Sequence, residues 1–299
     1  MRHSLLIGLA PLLACCIQPP AGAQAIAEAT SAAHVELAAP ERIVKLEQAS
    51  NFRDIGGYAG TGGKRVRWGR IYRAGAQPML TDADVAAVRA LGIANIVDLR
   101  SDEERILAPT RLDGIRYNAV GYSFAPLLET IQTALKEKGG TEAAIRDMYT
   151  VLPTMIAPQV RLLFDRLLAD EGATLFNCSA GQDRTGLAAA LVRSALGGDR
   201  ETIYADYLLS EDHRRVEWEV APIPDALATV NPVYAYFIRY RKEPETAKPP
   251  SLSASDGKPY LAVSFAVIEA RWGSVPAYLE QEIGLNAVQL ARLRSLYLQ

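Results

Sequence analysis

Residues Ala173 to Gly186 constrain this chain more than any other stretch. The run Ala-Thr-Leu-Phe-Asn reads as a buried strand, Gly181 permits a tight loop, and Thr185-Gly186 leads into Leu-Ala-Ala-Ala-Leu-Val, a good helix former. The helix is expected to begin near Thr185. A helix start offers unpaired backbone N–H groups and the positive end of a dipole. A loop wrapped there cradles a tetrahedral anion. Cys178 lies in this loop, six residues before Arg184. The same field, with the guanidinium, favours a thiolate. A thiolate facing a cradled phosphate is a phosphatase arrangement. A cysteine six residues before an arginine means little alone, because free cysteine is usually a small buried hydrophobe. The context weighs the other way. Asp183 and Arg184 are polar groups in a strand-to-helix turn, and such groups need partners or a ligand.

The 299 residues carry a net charge of −2 and are 49% hydrophobic, an ordinary globular composition. Near-neutral charge gives no support for a nucleic-acid surface. The first 23 residues read as a signal peptide: Arg2 and His3, an apolar run from Leu5 to Ile17, then Ala21-Gly-Ala23 as a small-residue cleavage site. Leu12-Leu-Ala-Cys15 also resembles a lipoprotein box, so a membrane anchor is expected only if Cys15 is acylated. Residues 24–40 read as a flexible leader, and 41–299 as one phosphatase domain ending in extra helices. Export, to the periplasm or beyond, would remove Cys15 and Cys16 and leave Cys178 as the single thiol, with no internal disulfide possible.

Along the chain, Ile43–Leu46, Lys64–Tyr72, Ile93–Leu99 and Ile115–Val120 read as strands, the third a continuous apolar run suited to a parallel sheet interior. Thr81 caps a helix that Gly92 closes, and Ser101-Asp-Glu-Glu104 is a capping box. Residues 126–138 and 141–169 read as helices broken near Pro153 and Pro158. After the loop come a helix to about Leu196, another from Arg200 to Glu211, an aromatic stretch at 234–240 and two or three more helices. The aromatic stretch reads as core or lid packing before a ligand platform. Strands alternating with helices predict an α/β fold with a mostly parallel sheet covered on both faces.

Several residues are candidates for chemistry beside Cys178. Arg184 presents a planar fork for two phosphate oxygens. Ser179, Ala180, Gly181, Gln182 and Asp183 form the rest of the loop, and Thr185 either caps the helix or donates to a departing sulfur. Asp98 ends a central strand, where ligands of open α/β sheets bind; it either protonates a leaving oxygen or pairs with Arg100 or Arg53. Asp183 is a general acid, an orienting group for Arg184, or a brace for the loop. Asn51-Phe-Arg53-Asp54, followed by Gly56-Gly57, is either a turn or a supporting part of the site. His213, in Glu-Asp-His-Arg-Arg, reads as a solvated helix face. No His, Asp and Glu set has metal-ligand spacing, so no metal or cofactor is expected.

Two separate segments, Asn51 to Gly57 and Cys178 to Gly186, resemble the bacterial tyrosine and dual-specificity protein phosphatase family. Gly69-Arg-Ile-Tyr-Arg73, Asp98 to Glu104 and Ala205-Asp-Tyr-Leu-Leu-Ser210 fit the same pattern. The resemblance spans roughly residues 45–212. It implies a phosphotyrosine-phosphatase-like fold with a helical lid or C-terminal elaboration, a phosphocysteine intermediate and no metal. It also implies Cys178 as nucleophile, Arg184 as phosphate clamp, Asp98 as general acid and Asp183 as an assisting aspartate. Many members have His where Asn177 stands and Lys where Gln182 stands. The second departure weakens the case for multiply phosphorylated head groups.

The expected activity is a metal-independent phosphomonoesterase acting on a phosphorylated protein or a small phosphate ester. The alternatives are an inositol-phosphate or phosphoinositide phosphatase and a phosphate-ester binding module without turnover. A sulfurtransferase also uses a loop cysteine, but the paired motifs fit it poorly.

Overall fold

A computed structural model describes residues 41–137, 140–243 and 251–299. The readings given above for the signal segment, Cys15 and the leader lie outside the described residues. The strands are β1 (Arg53–Asp54), β2 (Ile71–Ala74), β3 (Ile93–Asp98), β4 (Arg116–Ala119) and β5 (Ala173–Asn177). Their order is β1-β2-β5-β3-β4, with β1 antiparallel to β2 and every other pairing parallel. The helices are α1 (Asp82–Ala90), α2 (Asp102–Leu107), α3 (Ala125–Glu137), α4 (Thr141–Met155), α5 (Ala157–Ala169) and α6 (Asp183–Ala195). They continue as α7 (Arg200–Leu208), α8 (Ser210–His213), α9 (Pro232–Lys242), α10 (Leu261–Trp272), α11 (Val275–Gln281) and α12 (Ala287–Tyr297).

The two-residue period of the strands divides the core. Ile71, Val97 and Phe176 join the cluster built with α5 and α6, through Leu163, Phe164, Leu187 and Leu191. Their neighbours Tyr72, Ile96 and Leu175 join the opposite cluster, with Leu80 and Val88 on the α1 side. The sheet is therefore covered on both faces, which is why β3 and β5 read as continuous apolar runs. Helix α6 is apolar nearly all round, and every residue from Arg184 to Arg193 is buried.

Both predicted caps form. Thr81 with Asp84, and Ser101 with Glu104, make complete capping boxes. The Lys64–Tyr72 strand does not form as one piece. Gly69 takes φ +72, and sheet pairing begins only at Ile71. Ile43 to Leu46 contributes a single isolated bridge, Ile43 to Arg53. The break between α4 and α5 falls at Ile156, and Pro158 sits at the start of α5, where its missing N–H costs nothing. Pro153 lies inside α4. It leaves the carbonyl of Tyr149 without its helical donor, and Ser264 Oγ from α10 donates to that carbonyl at 2.6 Å.

Candidate active site

β3 and β5 run side by side, with Asp98 opposite Asn177, and Leu99 N–H donates to the Asn177 carbonyl at 2.8 Å. The chain then turns from Asn177 through Cys178 and enters α6 at Asp183. Gly181 has φ +64, and a Cβ there would lie 2.4 Å from Gly75 N. Only glycine fits that turn.

The carbonyls of Ser179, Ala180 and Gly181 bond outward. Ala76 N–H donates to Ser179 O at 2.8 Å. Asn51 Nδ2 donates to Ala180 O at 3.2 Å and Gly181 O at 2.9 Å, and Arg73 Nη2 donates to Gly181 O at 2.8 Å. No N–H of Ser179, Ala180, Gly181 or Gln182 donates to another described residue. With the carbonyls held outside, these amides and the first N–H groups of α6 form a ring of free donors around Cys178.

Arg184 is fixed by a residue that sequence reasoning took only for a helix cap. Glu104, 2% exposed, accepts from Arg184 Nη1 and Nη2 at 2.6 Å each and from Ser179 Oγ at 2.6 Å. Tyr122 Oη accepts a second bond from Nη1 at 2.7 Å and donates to Leu99 O at 2.8 Å. A guanidinium has five N–H bonds. Nη1 uses both of its own and Nη2 uses one, so Nε–H and one Nη2–H remain. That edge is a two-pronged donor for an oxyanion. Burial would raise the Glu104 carboxyl, but Arg184 and Ser179 outweigh it and hold it below the usual carboxylate range. The Arg184 guanidinium is raised well above its ordinary value; burial opposes this and Glu104 dominates it.

A cavity of about 560 Å³ opens over the loop. Cys178, Ser179, Ala180, Gln182, Asp183 and Arg184 line it. Gly181 and Thr185 are not among its lining residues. Thr185 Oγ1 and Asn177 Oδ1 are buried with no hydrogen-bond partner among the described residues. Phe124 faces Arg184, its ring centroid 5.6 Å from the guanidinium carbon, and stacks on Tyr236 at 5.8 Å. Tyr236, Phe237 and Tyr240 of the aromatic stretch thus pack together and also wall the cavity. Among the described residues, no group of three or more His, Cys, Asp or Glu side chains is placed to share a metal ion.

The other predicted residues fall into place unevenly. Asp98 is 1% exposed and is not among the residues lining the cavity. Its oxygens accept from Arg100 Nε at 2.9 and 3.0 Å, Arg100 Nη2 at 2.6 Å and Tyr117 Oη at 2.7 Å. Burial raises this carboxyl, yet Arg100 and Tyr117 outweigh it and hold it below the usual range. This geometry matches the alternative reading, a pairing of Asp98 with Arg100. Asp183 does line the cavity. Its Oδ1 accepts from Tyr149 Oη at 2.6 Å and Gln182 Nε2 at 3.2 Å.

Asn51 touches the loop directly, whereas Arg53 and Asp54 do not. Asp54 accepts from the N–H groups of Gly56 and Gly69 at 2.7 and 2.6 Å and braces a turn. Arg53 is fully buried and pairs with Asp206. Arg214, expected on a solvated face, is only 4% exposed. It pairs with Glu219 and donates to Gln182 Oε1 at 3.2 Å, so a guanidinium stands behind Gln182.

Asp206, 2% exposed, supports the loop at one remove, because it holds both Arg53 and the loop-binding Arg73. Burial alone would raise its carboxyl; Arg53, Arg73 and Arg193 outweigh this and hold it well below the usual range. A depressed carboxyl stabilises the fold above its unfolded value and loses that contribution as pH falls below about 4. Asp206→Asn strands two buried guanidinium groups and is expected to cost about 3–5 kcal/mol at neutral pH. Denaturant unfolding from pH 3 to 7 checks this, with the variant showing a shallower acid-side decline than the parent.

A family profile described as the tyrosine phosphatase family matches residues 44–299. The chain belongs to the tyrosine phosphatase family. A Cupriavidus necator protein provisionally named a tyrosine-protein phosphatase is 31% identical over 259 residues, covering 82% of this chain and 85% of that protein. The triple specificity protein phosphatase PtpB of Mycobacterium tuberculosis is 30% identical over 285 residues, covering 85% of this chain and 98% of that one. A solved structure, P. aeruginosa TpbA, aligns with 48% of this chain and 71% of its own at 18% identity and a TM-score of 0.26; so slight a likeness bears no weight here. The tyrosine phosphatase family is cysteine-dependent, in keeping with a loop cysteine inside a ring of amides.

Proposed function

We propose that this tyrosine phosphatase hydrolyses phosphotyrosine in proteins through a phosphocysteine intermediate at Cys178. The observation that carries the reading is the ring of free amides beside the open Nε–Nη2 edge of Arg184. Together they match the three non-bridging oxygens of a phosphate ester.

Cys178 Sγ attacks phosphorus, and the bond from phosphorus to the ester oxygen breaks. Asp183, on the cavity wall and entering this step as the protonated carboxyl, gives its proton to the departing oxygen and is left as a carboxylate. Water then attacks the phosphocysteine, the S–P bond breaks, and Asp183 takes a proton from that water. Thr185, with its unpartnered hydroxyl, donates to the departing sulfur. The aromatic wall of Phe124, Tyr236, Phe237 and Tyr240 supports an aryl ester over an alkyl one. We read the first 23 residues as the export signal that delivers the enzyme to substrates outside the cytoplasm.

Iodoacetate tests the chemistry. Alkylation mapped by mass spectrometry to Cys178 is expected to end turnover of an aryl phosphate, inorganic phosphate is expected to protect, and a chelator is expected to have no effect. Turnover that survives full alkylation of Cys178, or that a chelator removes, overturns the reading. Tight phosphopeptide binding with no release would select a binding module.

A further inference from the structure

Asp183 is held by a chain of buried hydroxyls that reaches away from the cavity. Tyr149 of α4 and Tyr207 of α7 are 0% and 1% exposed. Tyr149 Oη lies 2.6 Å from Asp183 Oδ1 and 2.7 Å from Tyr207 Oη. Each phenol has one proton. Tyr149 gives its proton to Asp183, so Tyr207 must give its own to the Tyr149 oxygen. The chain therefore has one direction, from Tyr207 to Tyr149 to Asp183. Burial, with Asp183 next, pushes the Tyr149 phenol well above its ordinary value, which keeps it a donor.

Other parts of the fold fix this chain in place. The Tyr149 ring stacks on Tyr260 at 6.1 Å and meets the Tyr207 ring edge-on at 6.2 Å. The Tyr149 carbonyl, released by Pro153, is taken by Ser264 Oγ. Gly186, two residues into the loop's helix from Arg184, lets Tyr207 approach: a Cβ there would lie 2.9 Å from Tyr207 Cδ2. Among the described residues, both hydrogen bonds to the Asp183 carboxyl end on Oδ1, so Oδ2 takes neither and belongs to a residue that lines the cavity.

We propose that Tyr149 is a positioning residue for proton transfer at Asp183, with Tyr207 fixing Tyr149 from behind. The proposal rests on the phosphatase reading above and deepens it. The bond to Oδ1 sets the rotation of the carboxyl and leaves Oδ2 to meet the leaving oxygen. A group held within a fraction of an ångström of its partner transfers a proton far better than one free to turn.

The test uses leaving groups of different basicity on the full chain. Phenyl phosphate needs a proton on its departing oxygen, and p-nitrophenyl phosphate hardly does. Tyr149→Phe is expected to lower kcat/KM for phenyl phosphate roughly ten- to hundredfold and for p-nitrophenyl phosphate less than about threefold. Inhibition by inorganic phosphate is expected to stay unchanged, because the amide ring is untouched. In an Asp183→Asn background, Tyr149→Phe is expected to add almost nothing. Equal losses on both esters, or a full additional loss in the Asp183→Asn background, overturn the proposal.

Should Tyr149→Phe fail to fold, Tyr207→Phe carries the test. It keeps the bond to Asp183 and is expected to show the same leaving-group-selective loss at smaller amplitude; a uniform loss, or none, overturns the proposal. Cys178→Ser separates the two levels. Turnover that survives in it sinks the phosphatase reading itself, whereas turnover lost there with a uniform Tyr149→Phe effect sinks only the positioning role.

Discussion

Cys178→Ser is expected to abolish phosphate release from aryl phosphates while leaving the loop able to bind the ester. The loss should be on the order of 10⁴-fold or more in kcat, the scale on which removal of a nucleophile acts. The change replaces sulfur by a smaller oxygen of far weaker acidity and alters no other atom. The outward carbonyl bonds from Ala76, Asn51 and Arg73 do not involve the side chain, so the amide ring persists. A phosphotyrosine peptide should then bind without being consumed, and calorimetry on the variant measures that directly. Residual turnover near the parent rate would assign the chemistry to another group.

Glu104→Gln is expected to be the second most damaging single change. The carboxylate joins Arg184, Ser179 and the N–H of Ser101 at once. An amide turns one acceptor into a donor that faces a guanidinium donor, and it leaves a buried cation without its counter-charge. Breaking a buried pair on one side costs about 3–5 kcal/mol of stability. The open edge of Arg184 would lose its aim, and kcat/KM should fall roughly 10²- to 10³-fold, the usual effect of removing one preorganised oxyanion contact. Phosphate inhibition should weaken in parallel, which steady-state kinetics with added phosphate detects. Full activity in Glu104→Gln would mean that Arg184 is aimed by its backbone alone.

Glu104 shows where sequence reading stops. As the third residue after Ser101 it is plainly a capping-box glutamate, and the structure keeps that role. Its second role depends on Arg184, 80 positions further on, and nothing local in Asp102–Leu107 marks it. Cys178 and Arg184 were legible because strand, glycine turn and helix follow one another within a few residues. The pairing of Asp98 was open in the sequence for the same reason that Glu104 was missed. The end of β3 is the right region for a ligand, but Arg100, two residues on, folds back and takes both carboxylate oxygens. Tyr149 carried no signal at all. Its neighbours α6, α7 and α10 come from distant parts of the chain, and only the broken helix at Pro153 hinted that α4 is unusual. The sheet was easier, since β3 and β5 are apolar on both sides, whereas Gly69 hides the true start of β2 inside an apparently regular run.

The outward anchoring of the loop has a thermodynamic consequence. A flexible anion site must give up conformational freedom each time a ligand arrives, and that lost entropy weakens affinity. Here Asn51, Arg73 and Ala76, all far before the loop in sequence, already hold the backbone in its receiving shape. Ordering takes place when the polypeptide first folds, once in the lifetime of the molecule, and is not repeated with every catalytic cycle.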